Sequence, residues 1–366
     1  MDYAQERIAT LHDLSDHRPD APVDAAAVVV PLAEREAGSL AAERTFERLE
    51  SVAPGAVIVP LRANPDQVEA VRDWLSAYDL PLELLWCGGG RLTELLADRG
   101  LNGDAGKGRD LWLALGVAMA DHEYVVCHDA DRRTYSATDV PRLLAPLADG
   151  FEFSKGYYAR VENGRLYGRL WRLLYVPLVR ALAETADAPV LDYLDAFRYG
   201  LAGEFALTAR LAESLRIERR FGLEVGTLGG AFAAAGFEGT AQVDLGRYAH
   251  DHRAVSGPDG LATMAEDVSA ALFRVVEAAG VELDYEALPD RYRTVADALI
   301  DQYAADAAHN GLEFDRSHEA HQVEQYADAI RPPGRDTRLP PWSDVALVPD
   351  EVRDAVTADL AAVGGA

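Results

Sequence analysis

Lysine is almost missing from this chain. Of 35 Lys and Arg residues only two are lysine, Lys107 and Lys155, and each is followed by glycine, in Gly106-Lys107-Gly108 and Ser154-Lys155-Gly156. Positive charge as a whole is scarce: 61 acidic residues leave a formal net charge of −26 and a pI near 4.6. A field of that sign repels nucleic acid and anionic membrane surfaces, so neither is an expected partner. Cysteine is nearly absent too. Cys87 and Cys127 each follow an apolar run, which predicts buried free thiols rather than a disulfide or a metal site. No apolar run is long enough to span a bilayer, and the first residues lack the basic and apolar regions of a signal peptide; cytoplasmic residence is the expectation. An acidic, lysine-poor composition also predicts work in high salt, where screening shrinks surface repulsion to short range.

What is present suits a large globular protein: 366 residues, 49% hydrophobic, with a mean hydropathy of −0.11. Residues 1–24 read as a polar helical segment. Residues 25–260 read as one nucleotide-binding α/β unit, and residues 261–366 as a mainly helical carboxyl-terminal region. From residue 27 to 130, short β-type runs alternate with amphipathic stretches, the pattern of a wound parallel sheet. Residues 165 to 185 read as a helix that Pro177 interrupts. Gly88-Gly89-Gly90 follows a strand but lacks the dinucleotide spacing, and no Ser or Thr follows Lys107 as a Walker loop requires.

The most informative segment is Tyr124-Val125-Val126-Cys127-His128-Asp129-Ala130-Asp131, an apolar run that ends in two carboxylates one residue apart. Open α/β sheets bind ligands at the carboxyl ends of their strands. Acidic oxygens there suit a hard divalent cation shared with substrate phosphates; a solvated Asp-x-Asp turn is the bland alternative. Lysine retained only at Lys107 and Lys155 points to a compact charge meeting phosphate, with Gly106 and Gly108 letting backbone amides approach an anion. Small residues around Leu201 would likewise let a ligand near the backbone.

These segments together resemble a GT-A glycosyltransferase, and more narrowly the enzymes that make glucosyl-3-phosphoglycerate, with mannosylglycerate-type synthases as near relatives. The resemblance rests on Val28-Val29-Val30-Pro31, Gly106-Lys107-Gly108, Asp129-Ala130-Asp131, Gly164-Arg165, Gly200-Leu201-Ala202-Gly203-Glu204, Phe221-Gly222-Leu223-Glu224-Val225-Gly226 and Ala241-Gln242-Val243-Asp244-Leu245-Gly246 with its trailing His250. It implies a GT-A fold and a retaining hexosyltransferase that uses magnesium or manganese, a nucleoside-diphosphate hexose and a phosphorylated small acceptor. A homodimer is also implied. By resemblance, Asp131 and His250 hold the metal, with His252 the competitor for the second place. Pro31, Glu34, Lys107, Asp129, Ala130 and Glu224 contact the nucleotide-sugar, and the Leu201 backbone assists the acceptor hydroxyl. Gly164, Arg165 and Tyr167 bind the acceptor's phosphate, Tyr167 standing where the family has threonine. Transfer of mannose or another hexose to a different acceptor, and nucleotidyl transfer, are the rival chemistries. Arg165→Ala is expected to raise the acceptor KM far more than the donor KM in steady-state kinetics; equal effects would displace the acceptor site from this arginine.

Overall fold

The computed structural model describes residues 5–249 and 258–364. The apolar runs become strands because they are short and rich in branched residues. Among the described residues ten strands share one sheet: β1 Ala9–Leu11, β2 Ala26–Val29, β3 Leu32–Ala33, β4 Ala56–Arg62, β5 Leu82–Trp86, β6 Tyr124–Cys127, β7 Phe153–Glu162, β8 Arg165–Leu166, β9 Phe205–Thr208 and β10 Thr240–Tyr248. The order runs β1-β10-β7-β9-β6-β2-β4. β3 continues along the β2 side of β4, β5 takes its other side, and β8 folds back on β7. Neighbours are parallel except that β9 runs against both β6 and β7, and β8 against β7. Val28, Val57 and Val125 at the centre are fully buried, as a covered parallel sheet requires.

Two expectations change, and a third gains a cause. Residues 5–22 hold no helix; Ala9–Leu11 instead joins β10 as a parallel edge strand, with Ile8 and Thr10 buried and Leu11 exposed. Burial at alternate positions matches a strand's period of two and not a helix's 3.6. The expected helix from about residue 165 is also divided. Asn163 and Gly164 take positive φ of 48° and 70° and turn β7 back into β8, the two-residue hairpin that an Asn-Gly pair favours. Leu170–Tyr175 then forms a π-helical turn that runs directly into the helix Val176–Ala183, so the wound geometry changes just before Pro177 and the helical run continues past it. Finally, Gly88-Gly89-Gly90 is not merely outside the dinucleotide pattern. Asp359 accepts from the Arg91 and Leu92 amides at 2.9 and 3.1 Å, filling the helix terminus that an anion would use.

Asp359 belongs to the last helix, Pro349–Val363, which returns to pack on the amino-terminal half. Just before it, Trp342 stacks on Trp112 with ring centroids 4.4 Å apart. Trp112 Nε1 donates to the Pro340 carbonyl and Trp342 Nε1 to the Trp112 carbonyl, each at 2.8 Å. Gly116 leaves room for the indole, since a Cβ there would lie 2.0 Å from it. Trp342→Ala is expected to cost about 3–5 kcal/mol of unfolding free energy, seen as a lower urea midpoint. A loss below about 1 kcal/mol would mean that this return segment is not part of the cooperative fold.

Candidate active site

The carboxyl edge of the sheet gathers most of the predicted residues. Pro31 follows β2, and Asp129 and Asp131 follow β6. The reversed strand β9 delivers Leu201 to Glu204 to the same edge, because Phe205 pairs with Cys127. Strand β10, parallel to β7, ends there with Tyr248. Lys107 opens the helix Lys107–Asp121, and Glu224 lies in the first turn of the helix Leu223–Ala235. Pro31, Lys107, His128, Asp129 and Gly203 line a small cleft between these elements.

Lys107 Nζ donates to Asp129 Oδ1 at 2.6 Å and lies 3.6 Å from Glu224 Oε1. Burial opposes the ammonium charge, but the two carboxylates outweigh it and raise the Lys107 pKa above the ordinary lysine value. Asp129 is thus matched by a protein cation. Asp131 Oδ1 accepts from the Tyr248 hydroxyl at 3.2 Å, and its hard oxygen donors fit magnesium or manganese. Among the described residues no three His, Cys, Asp or Glu side chains form a metal cluster. His250 and His252 lie outside the described residues.

The Gly108 amide, expected to face an anion, is engaged by protein: it donates to the Arg219 carbonyl at 3.2 Å. A Cβ would lie 2.3 Å from the Arg219 oxygen at Gly106 and 1.8 Å from the Glu218 oxygen at Gly108. Gly203 follows the same logic, since a Cβ there would meet Asp129 Oδ2 at 2.3 Å, and Gly200 packs on Trp171 and Leu228. These glycines let protein approach protein. Glu34 is likewise engaged: its oxygens accept from the Asn64 amide at 2.6 Å and from Asn64 Nδ2 at 2.8 Å, holding the loop after β4. Glu36 is the acid that feels the aspartate pair. Burial first, then the charges of Asp131 and Asp129, raise its pKa, against the Ala33 amide that it accepts at 2.8 Å.

Gly164, Arg165 and Tyr167 sit on the β7–β8 hairpin. Arg165 and Tyr167 line a cavity of about 480 Å³ with Arg169, Glu313 and His318. Arg165 is exposed and engaged by Glu313, through Nε at 2.8 Å and Nη2 at 2.5 Å, while the Glu313 amide donates to the Gly164 carbonyl at 2.8 Å.

Several charges are buried behind the cleft. Lys155, expected like Lys107 to meet phosphate, is instead 1% exposed and donates to the Ala202 carbonyl; burial lowers its pKa to about 8. Glu204 is fully buried, and burial followed by the Asp129 charge pushes its pKa up to about 7. Arg132, directly after Asp131, pairs with buried Asp139 at 2.9 Å and donates to the Leu245 carbonyl at 2.7 Å. It pins the loop carrying both aspartates to the core. An arginine next to an acidic pair was the available signal. His128 is fully buried with neither ring nitrogen hydrogen-bonded, and burial, then Arg132, lowers its pKa to about 3.

A mostly parallel sheet with this acidic edge defines a GT-A glycosyltransferase, an enzyme that moves a sugar from a nucleotide-sugar. The chain is 34% identical to the glucosyl-3-phosphoglycerate synthase of Methanococcoides burtonii, over 96% of this chain and 93% of that protein. It is 37% identical to that of Persephonella marina, over 74% and 71% respectively. The chain therefore belongs to the glucosyl-3-phosphoglycerate synthase family. A Mycobacterium tuberculosis synthase solved with Mn2+, UDP-glucose and phosphoglyceric acid is 25% identical and covers 76% of this chain and 89% of that one, with a TM-score of 0.55. The same synthase solved with Mg2+ and UDP is 23% identical and covers 76% and 88%, with a TM-score of 0.56. No protein-family model matches the chain.

The His128 shift has a pH consequence. Its pKa is about 3 in the fold against 6.5 for free imidazole, so the unfolded chain binds the extra proton between those values. Stability contributed by the neutral ring is present above the upper value and is lost as pH falls through the window. His128→Phe is expected to flatten the fall in unfolding free energy between about pH 7 and about pH 5, measured by urea titration. An unchanged slope would mean that the imidazole is charged or solvated in the folded chain.

Proposed function

We propose that this chain transfers glucose, with retention of configuration, from a nucleoside-diphosphate glucose to the 2-hydroxyl of 3-phosphoglycerate. The products are glucosyl-3-phosphoglycerate, a compatible-solute precursor, and the nucleoside diphosphate. The observation that carries this reading is 34% identity to a synthase of that name over 96% of the chain. The cluster of Lys107, Asp129, Asp131 and Glu224 supplies chemistry in keeping with it. Relatives have been solved with UDP or UDP-glucose, so the uridine donor is the first to test.

When bound, magnesium or manganese supplies positive charge to a departing diphosphate, and Asp131 with His250 would hold it. Lys107, oriented by Asp129 and Glu224, adds a fixed ammonium near the leaving group. Glu224 accepts from sugar hydroxyls, while Pro31 and Glu34 border the nucleoside and Ala130 the sugar-phosphate. The Leu201 backbone orients the acceptor hydroxyl, and Gly164, Arg165 and Tyr167 receive the acceptor phosphate. Arg165 must exchange Glu313 for that phosphate; both partners are more than half exposed, so solvent screening keeps the cost of the exchange small. No residue acts as a covalent nucleophile. The protein contributes positioning and leaving-group stabilisation, with the acceptor attacking on the face that the diphosphate leaves.

The expected setting is the cytoplasm of an organism with high internal salt, supported by the −26 charge and the two lysines. None of the described helices is long and apolar enough to cross a membrane. A homodimer is the expected assembly, and nucleic acid is not an expected partner.

The test is nucleoside-diphosphate release in molar KCl with magnesium or manganese, across a donor panel, with and without 3-phosphoglycerate. Acceptor-dependent release from a glucose donor, abolished in Asp131→Ala without loss of the folded state, is the expected result. Release that ignores 3-phosphoglycerate would transfer the assignment to another acceptor, and pyrophosphate as product would make the enzyme a nucleotidyltransferase.

A further inference from the structure

We propose that Arg160 is the second anion-binding group of the acceptor site, taking the acceptor's carboxylate while Arg165 takes its phosphate. The proposal rests on the reading of Arg165 above. It starts from an imbalance: in a chain of net charge −26, Arg165 and Arg172 on the same stretch are both held by carboxylates of the carboxyl-terminal region. Arg160 makes no ion pair among the described residues. Its Nη1 donates to the Tyr199 hydroxyl at 3.1 Å, its guanidinium lies 5.6 Å from the centre of the Tyr248 ring, and its Nε is buried without a hydrogen bond. A half-buried guanidinium held only by phenols is a costly arrangement, and an incoming anion relieves it.

Placement gives the anion its identity. The Tyr167 amide donates to the Arg160 carbonyl at 2.9 Å, and Glu162 pairs with Arg165 across the hairpin. Arg160 therefore lies opposite Tyr167 and diagonal to Arg165 on one face, with backbones about 7–8 Å apart. Two cations at that spacing match a short acid with an anion at each end. The Tyr248 ring beside Arg160 carries the hydroxyl that bonds Asp131 at 3.2 Å. An acceptor held between Arg160 and Arg165 is therefore one tyrosine away from the carboxylate assigned to the metal. A one-anion acceptor would leave Arg160 unmatched, so the pair selects a phosphorylated hydroxy acid over a simple phosphate ester.

The test separates the two anions. Wild type, Arg160→Gln, Arg160→Lys and Arg165→Gln are compared with 3-phosphoglycerate as acceptor. Glycerol 3-phosphate, which lacks the carboxylate, and glycerate, which lacks the phosphate, serve as competitors. Arg160→Gln is expected to raise the 3-phosphoglycerate KM about 10- to 100-fold, the loss of one charged hydrogen-bond pair. Its inhibition constant for glycerol 3-phosphate and its donor KM should stay at the wild-type values, and Arg160→Lys should recover part of the 3-phosphoglycerate affinity. Arg165→Gln should weaken both phosphate compounds and spare glycerate. Equal weakening of 3-phosphoglycerate and glycerol 3-phosphate by Arg160→Gln, or a donor KM that rises in step, would overturn the proposal and leave Arg160 a packing cation. A wild-type enzyme indifferent to 3-phosphoglycerate would instead remove the acceptor reading itself.

Discussion

The arrangement at the carboxyl edge of the sheet depends on one ion pair, Lys107 with Asp129 at 2.6 Å. Two aspartates one residue apart repel each other, and Glu224, Glu204 and Glu36 add to that local negative charge. The Lys107 ammonium between Asp129 and Glu224 offsets part of that charge. The fold spends several features on placing it. Gly106 and Gly108 lie flat on the Glu218–Arg219 backbone, which sets the start of the lysine's helix, and Gly203 leaves the space that the Asp129 carboxylate fills. Arg132 then locks the following loop to buried Asp139.

The second constraint is the return of the carboxyl-terminal region to both halves of the molecule. Trp342 and Asp359 fasten it to the first half, at Trp112 and at the helix beginning with Gly90. Glu313 and Glu319 fasten it to the β7–β8 hairpin and the π-helical turn, through Arg165 and Arg172. The Arg172–Glu319 pair is buried and Arg165–Glu313 is exposed. The first is therefore a structural tie, and the second is a solvent-screened pair that contributes little to stability.

The extreme acidity of the chain makes its internal cations informative. Surface arginines are mostly spoken for by neighbouring carboxylates, as in Arg353 with Glu83 and Asp121. Of the cations that make no ion pair among the described residues, Lys155 and Arg160 sit near the cleft and the β7–β8 hairpin. Salt screens outer charges far more than partly desolvated ones such as these.

Local sequence determined the elements that have a local cause: the parallel strands, whose apolar runs end at proline or acid, the helix that opens at Lys107, and the clustering of chemistry after Cys127. It also contained the Asn163-Gly164 hairpin, which the leucine stripe of the following helix obscured. Motif order carried the family. Tertiary structure alone decided the rest. Ala9–Leu11 is a strand because β10 offers an edge to it, which no local propensity encodes. The glycines beside Lys107 and Asp129 are explained by backbone and carboxylate atoms from distant segments, not by a ligand. Whether Arg165 is free, whether Arg160 is paired and whether His128 is neutral depend on which groups the fold brings within a few ångström. Charge and burial are properties of neighbours in space, and a linear chain does not state them.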